Sequence, residues 1–115
     1  MTFVWTLTSV KIAHRTIAGF DWDRGNREKC QIHGVSIRDI EEVFGRGPAI
    51  EPDSFVAEER LRAIGTTSAE RYVFLVFTLR VHDGATFLRP ISARCMHLRE
   101  VRQYEEEKDS DVQER

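Results

Sequence analysis

An extended segment ending in Arg94 runs directly into a helical pattern that carries His97, Arg99, Arg102 and Tyr104. Cations, a titratable imidazole and a phenol therefore fall within about three helical turns. A surface that binds or cleaves RNA uses this set. Phosphates attract cations, strand scission needs proton transfer, and bases stack on aromatic rings. The competing reading is an amphipathic terminal helix whose basic face is simply solvated.

RNA is cleaved when its own 2′-OH attacks the adjacent phosphate. A protein assists by deprotonating that hydroxyl, protonating the leaving 5′-oxygen and stabilising charge on phosphorus. Proton transfer contributes about 10²–10⁴-fold. One well-placed donor to a developing oxyanion adds about 10²–10³-fold. Neither requires a metal. Arg94 is assigned to phosphate stabilisation, because a strand end fixes its direction. Arg80, at the end of the central strand, is assigned to clamping the same phosphate. His97 is the acid–base candidate, since imidazole titrates near neutral pH. Tyr104 lies seven residues on, close to two turns, where it stacks on a base or positions substrate. Arg99, Arg102, His33 and Arg60 are the remaining RNA-binding candidates.

Each assignment has a structural alternative. Arg94 can bridge to Glu100 or Glu59. His97 can pack at a helix start, and Tyr104 can be a core-edge residue with its hydroxyl in water. His33 can interact only with a helix C-terminus. Glu59 and Arg60 are adjacent, so in a strand only one of them faces a given site. Cys30-x-x-His33 and Cys95-x-His97 offer a tetrahedral zinc set in type. Their spacing and their placement on different elements argue against it, so no metal and no cofactor are expected.

The positioning elements follow from pattern. Residues 20–22 form a short apolar strand. Asp23 caps a helix that reaches residues 32–33, and Gly34 supplies its left-handed stop. Ser36 caps a second helix over 37–44, with Ile37, Ile40, Val43 and Phe44 on one face. Three strands are expected over 60–65, 72–79 and 87–93. The middle run is near-continuously apolar, as in a strand buried on both faces. His82-Asp83-Gly84 is a turn, and Pro90 demands an edge or a bulge. A last helix spans about 96–107. The order is β-α-α-β-β-β-α, an α+β fold with an antiparallel sheet.

The 115 residues suit one domain, and 41% hydrophobic against 31% charged residues excludes wholesale disorder. Net charge is −2, but of 19 acids and 17 Lys/Arg, residues 104–115 hold six and two, leaving 13 and 15 in the rest. An acidic tail thus masks a mildly basic body. With two cysteines, no secretory pattern and no membrane-length apolar run, a cytoplasmic protein with reduced thiols is expected. Phe44, Ile50, Phe55 and Val56 are candidates for an apolar docking patch, or for core.

Several motifs occur in order: Phe20-Asp21-Trp22-Asp23, His33-Gly34-Val35-Ser36, Val43-Phe44, Glu59-Arg60 ahead of Ile64-Gly65, Ile91-Ser92-Ala93-Arg94, then Glu100 and Tyr104-Glu105. Together they resemble the BrnT family of toxins from bacterial type II toxin–antitoxin systems, over residues 19–107. Residues 1–18 then form an N-terminal extension and 108–115 an acidic tail. The resemblance implies a RelE-like ribonuclease fold, although no RelE-type motif is visible. It implies RNA cleavage that blocks translation, and a BrnA-type antitoxin that binds the toxin directly. It also implies contact with promoter DNA only through that antitoxin. A catalytically decayed module that retains antitoxin binding is the alternative. The chain departs from the pattern at Ile32, where many members carry Lys before His-Gly, and at Cys30-Gln31, where many carry Asn-Leu. The extension also leaves open an internal start near Val10.

Overall fold

The computed structural model describes residues 11–12, 14–53 and 60–113. The elements are β1 (Lys11–Ile12), β2 (Arg15–Phe20), α1 (Arg24–Gln31), α2 (Ile37–Gly45), β3 (Ala49–Pro52), β4 (Leu61–Thr66), β5 (Tyr72–His82), β6 (Ala85–Cys95) and α3 (Leu98–Gln113). The strands form one six-stranded sheet in the order β1-β2-β6-β5-β4-β3. All pairs are antiparallel except β2–β6, which is parallel. The expected α+β order holds, with β1 and β3 as additional edge strands. Part of the expected N-terminal extension lies in this sheet, since β2 begins at Arg15 and Ile17 is fully buried.

Local chemistry sets the element boundaries. Asp23 and Ser36 each cap a helix in a reciprocal box, with Asn26 and Asp39 reaching back to the cap N–H. Gly34 has φ +84°, a conformation that a Cβ disfavours. Asp83 and Gly84, with φ 51° and 80°, make the two-residue β5–β6 hairpin turn. The apolar face of α2 sits on the sheet through Ile40, Val43 and Phe44. Phe20, Val73, Leu75, Phe77 and Leu88 complete the core. Phe44 bridges Phe20 and Phe77 at ring distances of 5.9 and 5.1 Å, in tilted and edge-on contacts. Trp22 Nε1 donates to Glu41 Oε2 at 3.1 Å, which partners a buried indole and a buried carboxylate.

β5 differs from the expectation of a strand buried on both faces. Val73, Leu75 and Phe77 are buried, whereas Tyr72, Phe74, Val76 and Thr78 are only partly so. The helices α1 and α2 serve one face, and the other carries large side chains under partial cover.

The strand β6 contains a bulge. Val76 pairs with Ser92 and Phe77 with Pro90, so Ile91 is the extra residue. Pro90 has no N–H, and its carbonyl leaves the ladder to accept Asn26 Nδ2 at 3.0 Å. The bulge shifts the phase of the strand. Arg89 pairs with Thr78 and Arg94 with Phe74, so two arginines an odd number of residues apart share one face.

Gly65 is packed where a Cβ would meet Pro48 Cβ and Val43 Cγ1, each at 3.0 Å. Gly65→Ala is expected to destabilise the fold by about 1–3 kcal/mol, the range for overpacking. Urea unfolding of the two proteins side by side checks this; equal midpoints would show that α2 and β3 yield freely.

Candidate functional site

The open face of the sheet is built in rows across β4, β5 and β6. Ile64, Phe74 and Arg94 form one row, and Arg62, Val76 and Ser92 the next. Thr78 and Arg89 follow, then Arg80 opposite Phe87. Arg60 precedes Leu61, whose side chain packs on the core, so Arg60 points to the open face beside Thr78. Arg60, Arg62, Arg80, Arg89 and Arg94 therefore all belong to one surface. Alternation and register gather them; sequence spacing alone does not.

Arg94 has the most defined geometry. Its Nη1 and Nη2 donate to Glu100 Oε1 and Oε2 at 2.8 and 2.9 Å, a two-pronged pair. Nη1 also reaches the Cys95 carbonyl at 3.3 Å. The guanidinium carbon lies 4.6 Å from the centre of the Phe74 ring. A guanidinium has five N–H donors, and three are used here. The Nε–H and the second Nη2–H remain, on the other edge of the planar group. Among the described residues they meet no acceptor. One edge of Arg94 is thus locked by a carboxylate, and the other has the fork geometry that suits phosphate.

Glu100 serves a second partner. Its Oε1 also accepts the backbone N–H of His97 at 2.8 Å, just ahead of the first turn of α3. One carboxylate oxygen thereby ties Arg94 to the residue bearing the imidazole. The Arg94 bond and the His97 N–H hold the Glu100 carboxyl down at about 2. The same pairing raises the already high pKa of Arg94. The bridge from Arg94 to Glu100, considered above as a structural alternative, is therefore present alongside the open fork.

The other candidates spread more widely. The His97 side chain is exposed. Tyr104 is partly buried, edge-on to Tyr72 at 6.1 Å, and lines a groove with Phe74, Met96 and Glu100. Tyr72 donates to Glu105 at 2.6 Å, which raises the phenol's pKa. Arg99 and Arg102 lie with Leu98 and Glu106 along a different stretch of α3 surface. His33 is exposed just before Gly34, whose carbonyl accepts Arg71 Nη2 at 3.0 Å. Arg80 is six residues from Phe74 along β5, so its Cα stands roughly 20 Å from the Arg94 row. Arg80 and Arg94 consequently address different positions on any extended ligand, not one phosphate. Phe44 is core, Ile50 is exposed on β3, and Phe55, Val56 and Glu59 lie outside the described residues.

Cys30 is fully buried in α1, and burial pushes its thiol up to about 11. Cys95 Sγ accepts Arg71 Nη2 at 3.0 Å. One thiol is thus packed in the core and the other bonded to a guanidinium. Sequence reasoning missed Phe74, Arg62 and Arg89. The alternation of β5 with β6 was the available signal, but using it required the position of the bulge.

The ribonuclease toxin family BrnT, of type II toxin–antitoxin systems, has a family model that matches residues 22–100. The chain belongs to that family. A comparison with curated proteins found no match. BrnT membership makes the protein a ribonuclease toxin by family and implies an antitoxin partner. The matched span runs from Trp22 to Glu100, so it includes the whole Arg94–Glu100 arrangement. Among the described residues, no helix is long and apolar enough to cross a membrane.

The low pKa of Glu100 fixes the sign of an acid effect. A folded-state pKa of about 2, against an ordinary 4.5, means the pair stabilises the fold above about pH 4.5. That contribution is lost as pH falls towards 2. Glu41 acts oppositely, because burial raises its pKa and favours its protonated form. Because the Arg94–Glu100 pair is about one-third exposed, Glu100→Gln is expected to cost only about 1 kcal/mol at neutral pH and much less near pH 2. Urea unfolding at both pH values tests this; an equal loss at both would remove the ion pair as the cause.

Proposed function

We propose that the protein is a metal-independent endoribonuclease whose cleavage of cytoplasmic RNA inhibits translation, and that a BrnA-type antitoxin silences it by direct binding. The promoter-DNA contact of such a pair would run through the antitoxin. The observation that carries the reading is the divided guanidinium of Arg94. Glu100 orients one edge, while the open edge offers two parallel donors to the phosphate under attack. A fork of this kind stabilises the charge that grows on the non-bridging oxygens.

His97 supplies the proton transfer through an exposed imidazole, on a residue whose backbone N–H is held by the same carboxylate. Phe74 holds the Arg94 plane from below and is a positioning residue. Tyr104 gives an aromatic edge beside the fork for a flanking base. Arg60 and Arg62 extend the cationic face towards the rest of the strand, and Arg99, Arg102 and His33 stand further out as backbone contacts. The RNA's own 2′-oxygen bonds to phosphorus as the bond to the 5′-oxygen breaks; His97 handles one of the two protons and water the other, so the step runs without a Lewis acid.

A second reading has its own observation. The same Arg94–Glu100 bridge is a sound structural contact, as expected of a module that has lost activity and keeps only antitoxin binding. Growth after induced expression separates the two. The parent is expected to arrest growth, and Arg94→Ala and His97→Ala, at equal protein levels, to relieve it. Arg94→Lys should also fail, with cleavage down about 10²–10³-fold, because an ammonium cannot serve both edges. Cleavage by purified protein should persist in EDTA. A soluble, folded parent that neither arrests growth nor cuts RNA would decide for the decayed module.

A further inference from the structure

Away from Arg94, a groove gathers cations from both the sheet and α1. A groove of about 910 Å³ lies where the start of α1 meets β5 and β6. Arg24, Lys29, Arg60, Arg80 and Arg89 line it, with Thr78 between them. These cations come from separate segments of a chain whose net charge is −2. Asp23 is the acid in its lining, and Arg89 already occupies it at 2.7 Å. Arg80 and Lys29 are exposed and, among the described residues, have no acidic partner. Like charges drawn together in a concave site focus a positive potential, which is satisfied by an anion of several charges.

The β5–β6 wall of the groove and Arg94 lie on one face of the sheet. From the Phe74–Arg94 row, the surface passes Val76 and Ser92 to reach Thr78 and Arg89, then Arg80. The separation along β5 is roughly 20 Å. A stacked strand rises about 3.4 Å per nucleotide, so about six nucleotides span it, and fewer if the strand is extended. Among the described residues, no aromatic side chain lines the groove. It is therefore suited to a sugar–phosphate backbone rather than to bases.

The geometry points to this groove as a backbone-docking subsite for the single-stranded RNA that flanks the scission site at Arg94. The inference rests on the ribonuclease reading and gives it a direction and a length. One end of the substrate sits in the Arg94 fork, and phosphates several nucleotides away sit between α1 and the β5–β6 hairpin. Affinity then depends on substrate length, and short fragments leave readily.

The experiment uses the full chain with fluorescein-labelled oligouridylates, a tetranucleotide and a dodecanucleotide, in anisotropy titrations over a range of salt. The variant is Arg24→Glu with Lys29→Glu, at exposed positions on α1 where the one ion pair lost, Arg24 with Glu28, is solvent-exposed, with circular dichroism confirming that it folds. The parent is expected to bind the longer RNA more tightly and with a steeper salt dependence. The variant should weaken the dodecanucleotide at least about tenfold and reduce its log–log salt slope by about one to two, the effect of losing two phosphate contacts. The tetranucleotide should lose far less. Arg80→Glu should repeat the pattern from the opposite wall. If the parent binds both lengths and the variants change neither affinity nor slope, the groove is not on the RNA path, while the ribonuclease reading stands. If the parent binds no RNA of either length, both fall together. If the variants lose the antitoxin but keep RNA, the groove belongs to an acidic segment of that partner, and the proposal is overturned.

Discussion

The side-chain amide of Asn26 holds together the part of the sheet on which everything else depends. Its Nδ2 donates to the carbonyls of Asp21 and Pro90, and its Oδ1 accepts the N–H of Asp23. These contacts join the end of β2, the start of α1 and the bulge of β6 at one buried point. Pro90 offers a carbonyl without an N–H, which is why a regular ladder cannot continue there. A buried carbonyl left without a donor is costly, and Asn26 removes that cost. The bulge can therefore persist, and with it the change of phase that turns Arg89 and Arg94 to the same face.

Burial divides labour between the two faces of the sheet. One face, under α1 and α2, is tightly packed around Phe44 and Phe77 and carries the stability. The other face carries guanidinium groups whose mutual repulsion is offset one at a time, by Glu51 for Arg62, Asp21 and Asp23 for Arg89, and Glu100 for Arg94. Those carboxylates orient the cations without filling every donor. The face remains both ordered and electrostatically positive, in a chain that is acidic in total.

Much of the fold was legible because its signals are local. Asp23 and Ser36 announce helix starts, Gly34 a stop and Asp83-Gly84 a hairpin, each through chemistry within a few residues. Pro90 announced a bulge or an edge but not which neighbour would be displaced. The parallel pairing of β2 with β6 joins distant segments, and no local pattern encodes it. β3, an Ala-Ile-Glu-Pro strand, has little strand character of its own and exists because β4 presents an edge. At the site, Arg94, Glu100 and Tyr104 could be named from type and spacing. The ring of Phe74 beneath Arg94 could not, since that contact depends on cross-strand register. The distance between Arg80 and Arg94 was likewise hidden, because both simply end strand-like runs in the sequence.

The parallel β2–β6 pairing also has a consequence in time. A ribosome releases β2 early, yet its partner β6 and the α3 start that orients Arg94 emerge only after β5. Until then Ile17 and Phe20 have no β6 to pack beside, and Pro90 has not arrived to meet Asn26. Long-range pairings of this kind form late and slowly, because the intervening chain must be closed first. The growing polypeptide thus has no assembled cationic face until β6 and the start of α3 have emerged.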